Sequence, residues 1–255
     1  MTAAALLNDI FRTKTVHDAN GKTYQLDHNV DTEEGKFLTG LIKKYQPKRT
    51  IEIGCAYGIS SLFICSALES VEGAHHTIID PGQSKYYQNI GIDNLKKANI
   101  NFFEFFEELS ELKLPELLKS GQKYDLGFID GDHRFEYTLL DFFYLNRMID
   151  VGGIIVIDDT GIPAVNKMMR YVLNYPAYKI VDRVPLQNTS ARKTFDTIVK
   201  RPASFLTKLF PEKLKYEFFS PALIKSEQSL QLNSAMIAMQ KVASDDRNWD
   251  WFKDF

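Results

Sequence analysis

The chain has 255 residues, of which 44% are hydrophobic, 25% charged and 13% aromatic. At about 150 residues per domain this length suits one large domain with additions, and the apolar content excludes a disordered chain. Lys and Arg number 31 against 33 Asp and Glu, a formal net charge of -2, which gives a polyanionic partner no global support.

The segment from Asp31 to Tyr45 (DTEEGKFLTGLIKKY) places Phe37, Leu38, Leu41 and Ile42 at helical spacing, with Asp31 or Thr32 as N-cap. Pro47 ends this helix, and Arg49 to Gly54 (RTIEIG) reads as a strand. Gly58 to Leu68 is a predicted helix, and His75 to Asp80 (HHTIID) a strand closed by Pro81-Gly82. Lys85 to Lys97 reads as a helix, Ile100 to Phe105 as a strand, and Leu109 to Lys119 as a helix interrupted by Pro115. Then come a strand (Tyr124 to Asp130), a helix (Phe135 to Ile149), a buried strand (Gly153 to Asp158) and a helix opened by Pro163 and running to Leu173. Tyr178 to Val184 and Thr194 to Lys200 read as a hairpin-like pair of strands, and Gln228 to Val242 as a helix.

Alternating strands and helices of this kind predict an α/β fold, a mostly parallel sheet covered on both faces. The organisation expected is an N-terminal cap over residues 1–30, a main domain over 31–202 and a C-terminal helical appendage over 203–255. The Ala-Leu stretch within Met1 to Phe11 lacks the basic start and sustained apolar core of a signal peptide. The longest apolar runs, such as Ile154 to Ile157, are far short of the roughly 20 residues that cross a bilayer. Cys55 and Cys65 have no metal-binding or disulfide spacing, so they are expected as reduced thiols in a cytoplasmic protein.

In such sheets ligands bind outside the carboxyl ends of the strands, and here those ends carry glycines and acids. The first strand runs into Glu52-Ile53-Gly54-Cys55-Ala56-Tyr57-Gly58-Ile59-Ser60. Gly54 and Gly58 permit a tight turn, and the next helix offers free N–H groups and the positive end of its dipole. This is neither G-x-G-x-x-G nor a P-loop. The next strand ends at Asp80, where a carboxylate can accept from both ribose hydroxyls; the same Asp could simply cap the turn. Further on stand Asp130-Gly131-Asp132-His133 and Asp158-Asp159-Thr160. Acids that close repel unless something positive joins them, and Mg²⁺ suits two or three carboxylates plus water. His133, with a reference pKa near 6.5, is a candidate general base. His75 and His76 lie at the start of a strand, away from this edge, and read as structural. His17 and His28 form no metal spacing with His133.

Together these residues resemble the class I S-adenosylmethionine-dependent methyltransferases. Within that class the chain is similar to the cation-dependent O-methyltransferases of the catechol and caffeoyl-CoA type, and more so to bacterial macrocin-type sugar O-methyltransferases. The resemblance runs from about Asp31 to Pro202. It rests on E-x-G-x-x-x-G-x-S (Glu52, Gly54, Gly58, Ser60), D-G-x-H (Asp130, Gly131, His133) and the paired acids Asp158-Asp159 after G-G-I-I-V-I. It implies a Rossmann-like, doubly wound, seven-stranded sheet with an antiparallel last strand. It implies that Glu52, Gly54, Cys55, Gly58 and Ser60 form the cofactor turn, that Asp80 binds the ribose and that Ser110 faces the adenine. Asp130 would serve both cofactor and metal, with Asp158 and Asp159 as the other metal ligands. The plant and catechol enzymes usually have Asn where Asp159 stands, and often Lys where His133 stands. The implied activity is cation-assisted O-methylation of a small-molecule hydroxyl by a cytoplasmic homodimer. The same motifs also serve metal-independent O- and N-methyltransferases, and the fold can serve as a non-catalytic binding module. The weakly basic stretches Lys43 to Arg49 and Lys193 to Arg201 read as solvated faces, so neither nucleic acid nor membrane is an expected partner. Thr13 to Val30 and the tail after Pro202 are the candidate covers of the site. The aromatics Phe205, Phe210, Tyr216, Phe218, Phe219, Trp249 and Trp251 are expected to pack that tail onto the domain.

Overall fold

The computed structural model describes residues 1–27, 29–186, 211 and 229–255. Seven strands form one sheet, in the order β5(Phe103–Phe106), β4(His75–Ile79), β3(Arg49–Ile53), β6(Tyr124–Ile129), β7(Ile149–Ile157), β9(Ser234–Lys241), β8(Tyr178–Pro185). The five strands from β5 to β7 pair in parallel. The last strand, β9, is antiparallel to both neighbours and lies between β7 and β8. The expected fold class is thus met.

Helices close both faces. On one side α5(Ser110–Lys119), α6(Phe135–Met148) and α7(Pro163–Val172) bury Leu114, Phe142, Leu145 and Met168 against Ile155 and Ile157. On the other, α2(Thr32–Tyr45) and α3(Ile59–Leu68) bury Leu38, Leu41, Ile42 and Ile64 against Ile154 and Val156. The run Ile154 to Ile157 therefore feeds both cores by simple alternation, which is why it reads as continuous apolar sequence. α4(Ile90–Lys97) and α1(Ala3–Thr13) extend this second face, and a short hairpin, β1(Thr15–His17) and β2(Thr23–Gln25), follows α1.

Several boundaries differ from the sequence expectation. Asp31 does cap α2, in a capping box with Glu34. The helix expected from Lys85 begins only at Ile90, because Gln88 and Asn89 adopt left-handed φ angles of 50° and 59°. α5 continues through Pro115, at the loss of one N–H donor. The helix expected over Gln228 to Val242 is replaced by strand β9. Its Ala, Met and Gln content favours helix, but Met236 and Ala238 pack on one face and Ile237 and Met239 on the other. Pairing on both edges overrides the local preference. Part of the segment read as an appendage is thus an integral strand that pairs with β8, whereas Thr194 to Lys200, read as a strand, lies outside the described residues. So do His28, Gln228, Phe205, Phe210, Tyr216, Phe218 and Phe219. Trp251 packs on Tyr171 and Tyr175, as expected of the tail, whereas Trp249 is 94% exposed.

Candidate active site

The strand order reverses between β3 and β6, and a cavity of about 860 Å³ opens at their carboxyl ends. Gly54 begins its floor. Its φ is +90°, and a Cβ there would lie 2.1 Å from the backbone oxygen of Asp130. Only glycine lets the β3 turn pass so close to the β6 end. Gly58, also left-handed, is a packing glycine that meets the backbone of Gly91.

Asp80 ties the turn down from β4. Its Oδ2 accepts from the N–H groups of Cys55 (2.9 Å) and Ala56 (2.8 Å) and from Gln83 Nε2 (3.0 Å). Its Oδ1 accepts from Gly82 N–H at 2.7 Å. The carboxylate thus neutralises donors that would otherwise be orphaned, and Oδ1 keeps room for a ligand hydroxyl. Replacing Asp80 by Asn turns one acceptor oxygen into a donor facing N–H groups. We expect a loss of about 1–3 kcal/mol of stability, read by thermal melting. An unchanged melting temperature would show that Asp80 does not hold the turn.

Opposite the turn lie the acids. Asp130, Asp158, Asp159, His133 and Glu34 line one end of the cavity. His133 Nε2 is 3.2 Å from Asp159 Oδ2 and 3.6 Å from Asp130 Oδ1. That nitrogen is buried without a hydrogen bond, and one donor atom each from Asp130, His133 and Asp159 fall within 4.8 Å of one another. Asp158 adjoins them, its Oδ1 accepting from Asp159 N–H at 2.8 Å. Burial pushes the Asp130 carboxyl well above its ordinary range, and the charges of Asp159, Glu52 and Glu34 add to it. Asp158 is raised well above its ordinary range by burial, then by Asp130, Glu34 and Asp159. Oxygen-rich, mutually repelling and with an unpartnered buried nitrogen beside them, these groups fit a divalent cation.

Not every expected residue reaches the cavity. Cys55 and Ser110 do, but Glu52, Gly58 and Ser60 are not among its lining residues. Glu52 is fully buried beneath the turn, where it binds the Ser61 hydroxyl and, at 3.1 Å, Nε2 of His76. His76 is indeed structural, anchored on its other side by Thr50 at 2.8 Å. Asp132 pairs with Arg134 at 2.6 Å, and that hydrogen bond holds its carboxyl below its ordinary range.

Glu34 was missed. Its Oε2 accepts from Asp31 N–H at 2.8 Å in the capping box, and burial raises its carboxyl. Its D-x-x-E spacing from Asp31 is that of a capping box, and nothing in the sequence shows that the start of α2 abuts the site. Tyr86, Tyr87, Arg134 and Tyr137 also line the cavity without having been singled out.

Residues 51–160 match a family model described as a methyltransferase domain. Over those residues the chain is similar to that methyltransferase domain, and its motifs and fold agree with the match. Tapetum-specific methyltransferase 1 of Arabidopsis thaliana is 34% identical over 133 residues, 51% of this chain and 54% of that protein. A caffeoyl-CoA O-methyltransferase of Populus kitakamiensis is 31% identical over 140 residues, 52% of this chain and 55% of that protein. The chain thus spans about half the length of the curated relatives it matches. An O-methyltransferase of Bacillus cereus, solved in complex with SAH, shares the fold with a TM-score of 0.57 at 19% identity, covering 71% of this chain and 84% of that one.

Proposed function

We propose that this protein transfers the methyl group of S-adenosylmethionine to a hydroxyl of a small-molecule acceptor, assisted by a divalent cation, with Mg²⁺ the expected ion. The observation that carries the reading is the convergence of Asp130, Asp158 and Asp159 on the same cavity as the Gly54 turn and Asp80. The Gly54 turn and Asp80 cradle the nucleoside, and the acid-lined end favours its sulfonium charge. Asp130, Asp158 and Asp159 would hold the cation, which, when bound, lowers the pKa of a hydroxyl beside it. His133 faces the same space and takes the acceptor proton at Nε2. Holding both reactants in line contributes several kcal/mol to the rate.

No helix among the described residues is long and apolar enough to cross a membrane. The buried, unpaired Cys55 and Cys65 suit a reducing, cytoplasmic setting. The family resemblance adds a homodimer to the reading, which sedimentation would test.

Calorimetric titration with S-adenosylmethionine and its demethylated product, with Mg²⁺ and then with chelator, tests the whole. Binding of both nucleosides supports the cofactor, and binding of neither removes it. Methyl transfer that survives exhaustive chelation would favour a metal-independent O- or N-methyltransferase. His133→Ala should lower turnover about a hundredfold while sparing cofactor affinity, and unchanged turnover would take His133 out of the mechanism.

A further inference from the structure

The cavity wall holds more negative charge than the chemistry above uses. Asp130, Asp158 and Asp159 would hold the cation, and Asp80 would meet the nucleoside. Glu34 and Glu111 line the same cavity with neither task. Arg134 is the one arginine among the described lining residues, and no lysine joins it. Its charge is already taken: Nε donates to Asp132 Oδ1 at 2.9 Å, and a second guanidinium nitrogen to Oδ2 at 2.6 Å. His133, as the base, works in its neutral form. A divalent cation offsets two of the three strand-end charges, and S-adenosylmethionine brings one net positive charge. With both bound, carboxylate remains in excess, and a concave acidic wall draws cations and repels anions.

Glu34 places that excess at the reacting end. It stands on α2 one turn before Leu38, which packs in one cluster with Val156 of β7. It therefore meets the cavity where β7 ends in Asp158-Asp159. Its Oε2 is fixed by the Asp31 N–H at 2.8 Å. Its Oε1 has no hydrogen bond or ion pair among the described residues. A capping box needs only one side-chain oxygen, and glutamine provides it as well as glutamate. The cap thus accounts for neither the charge nor the second oxygen.

We propose that the acceptor carries a protonated amine near its reacting hydroxyl, and that Glu34 is the specificity-determining residue that takes this ammonium through Oε1. The proposal rests on the cofactor and cation reading given above. An ammonium is a donor with no acceptor capacity, and its bond to a carboxylate already held in place by the cap is charge-assisted. An acceptor bearing a carboxylate or phosphate there would face Glu34 and Asp159 with no unpaired Lys or Arg among the described lining residues to receive it.

Three probes share a chelating diol and differ in one charge: aminomethylcatechol, methylcatechol and carboxymethylcatechol, each substituted para to one hydroxyl. Their affinities are measured by calorimetry for the protein loaded with Mg²⁺ and S-adenosylhomocysteine. In the wild type the aminomethyl probe should bind about tenfold tighter than the methyl probe, the factor of one charged hydrogen bond, and the carboxymethyl probe weakest. Glu34→Gln keeps the cap, so it should melt as wild type does. It should bring the aminomethyl probe down to the affinity of the methyl probe and leave the methyl probe unchanged. Equal affinities in the wild type, or an ammonium preference retained in Glu34→Gln, would overturn the proposal and leave the methyltransferase reading intact. An equal loss for both probes would make Glu34 a support of the cation, which also overturns it. Binding of S-adenosylhomocysteine with none of the three diols would overturn the proposal together with the cation-assisted reading. Failure to bind S-adenosylhomocysteine would remove the cofactor as well.

Discussion

Gly54→Ala should destabilise the protein by about 2–5 kcal/mol, combining the left-handed backbone cost of roughly 1–2 kcal/mol with an overpacking cost of roughly 1–3 kcal/mol. The backbone is held at φ +90°, and the new Cβ would meet the Asp130 oxygen at 2.1 Å, its carbonyl carbon at 2.7 Å and Gly131 Cα at 3.0 Å. All three are main-chain atoms, so no rotamer change can relieve the clash. Relief requires moving β3 from β6, where Asp130 N–H bonds the Ile53 oxygen at 2.9 Å. That movement would displace Asp130 and the Gly54 turn together. The melting temperature should therefore fall by about 10 °C and nucleoside binding should be lost. Gly73→Ala is the control: its φ of +71° is also left-handed, but nothing lies within 4 Å of its Cβ position. It should cost only about 1 kcal/mol. Equal effects of the two substitutions would show that the close approach at Gly54 contributes nothing beyond its backbone angle.

What the sequence displayed and what it concealed follow from the range of each interaction. The strands of the parallel sheet are short apolar runs between turn residues, and the residues at their ends needed only their order to be read as a site. Asp80, Asp130, Asp158 and Asp159 do converge on one cavity. Residues whose role depends on a distant neighbour were harder to see. Glu34 looks like a cap until α2 is laid beside β7. The motif singled out Ser60, which does not line the cavity, while its neighbour Ser61 turns to the buried Glu52. β9 carries a helix-forming composition, and only the unpaired edges of β7 and β8 make it a strand. The start of α4 was set by two left-handed residues, which no periodicity announces.

The carboxyl pair Asp130 and Asp158 should give the cation-free protein a pH dependence opposite to that of most acid-denatured proteins. Both carboxyls are raised above their ordinary range by burial and by neighbouring acids. A raised carboxyl favours folding in its protonated form. Its contribution is complete below the unfolded pKa, near 4, and is lost as pH climbs through the folded value. Stability in chelator should therefore decline from mildly acid toward neutral pH, the two groups titrating as a unit. On the proposed reading a divalent cation would bind the ionised pair, so at neutral pH it should restore about 2–3 kcal/mol at a hundredfold excess over Kd. Asp158→Asn separates the two effects. With one buried charge removed, the chelated protein at neutral pH should melt higher than wild type, because Asp130 and Asp158 no longer repel one another, although Asp159 and Glu34 remain beside Asp130. The same substitution should abolish most of the cation-induced rise. Stability gained without the ion and lost with it is not what simple damage to packing produces. If Asp158→Asn instead melts lower in chelator and keeps the full cation response, the strand-end acids are not the cation site, and their burial answers to some other positive group.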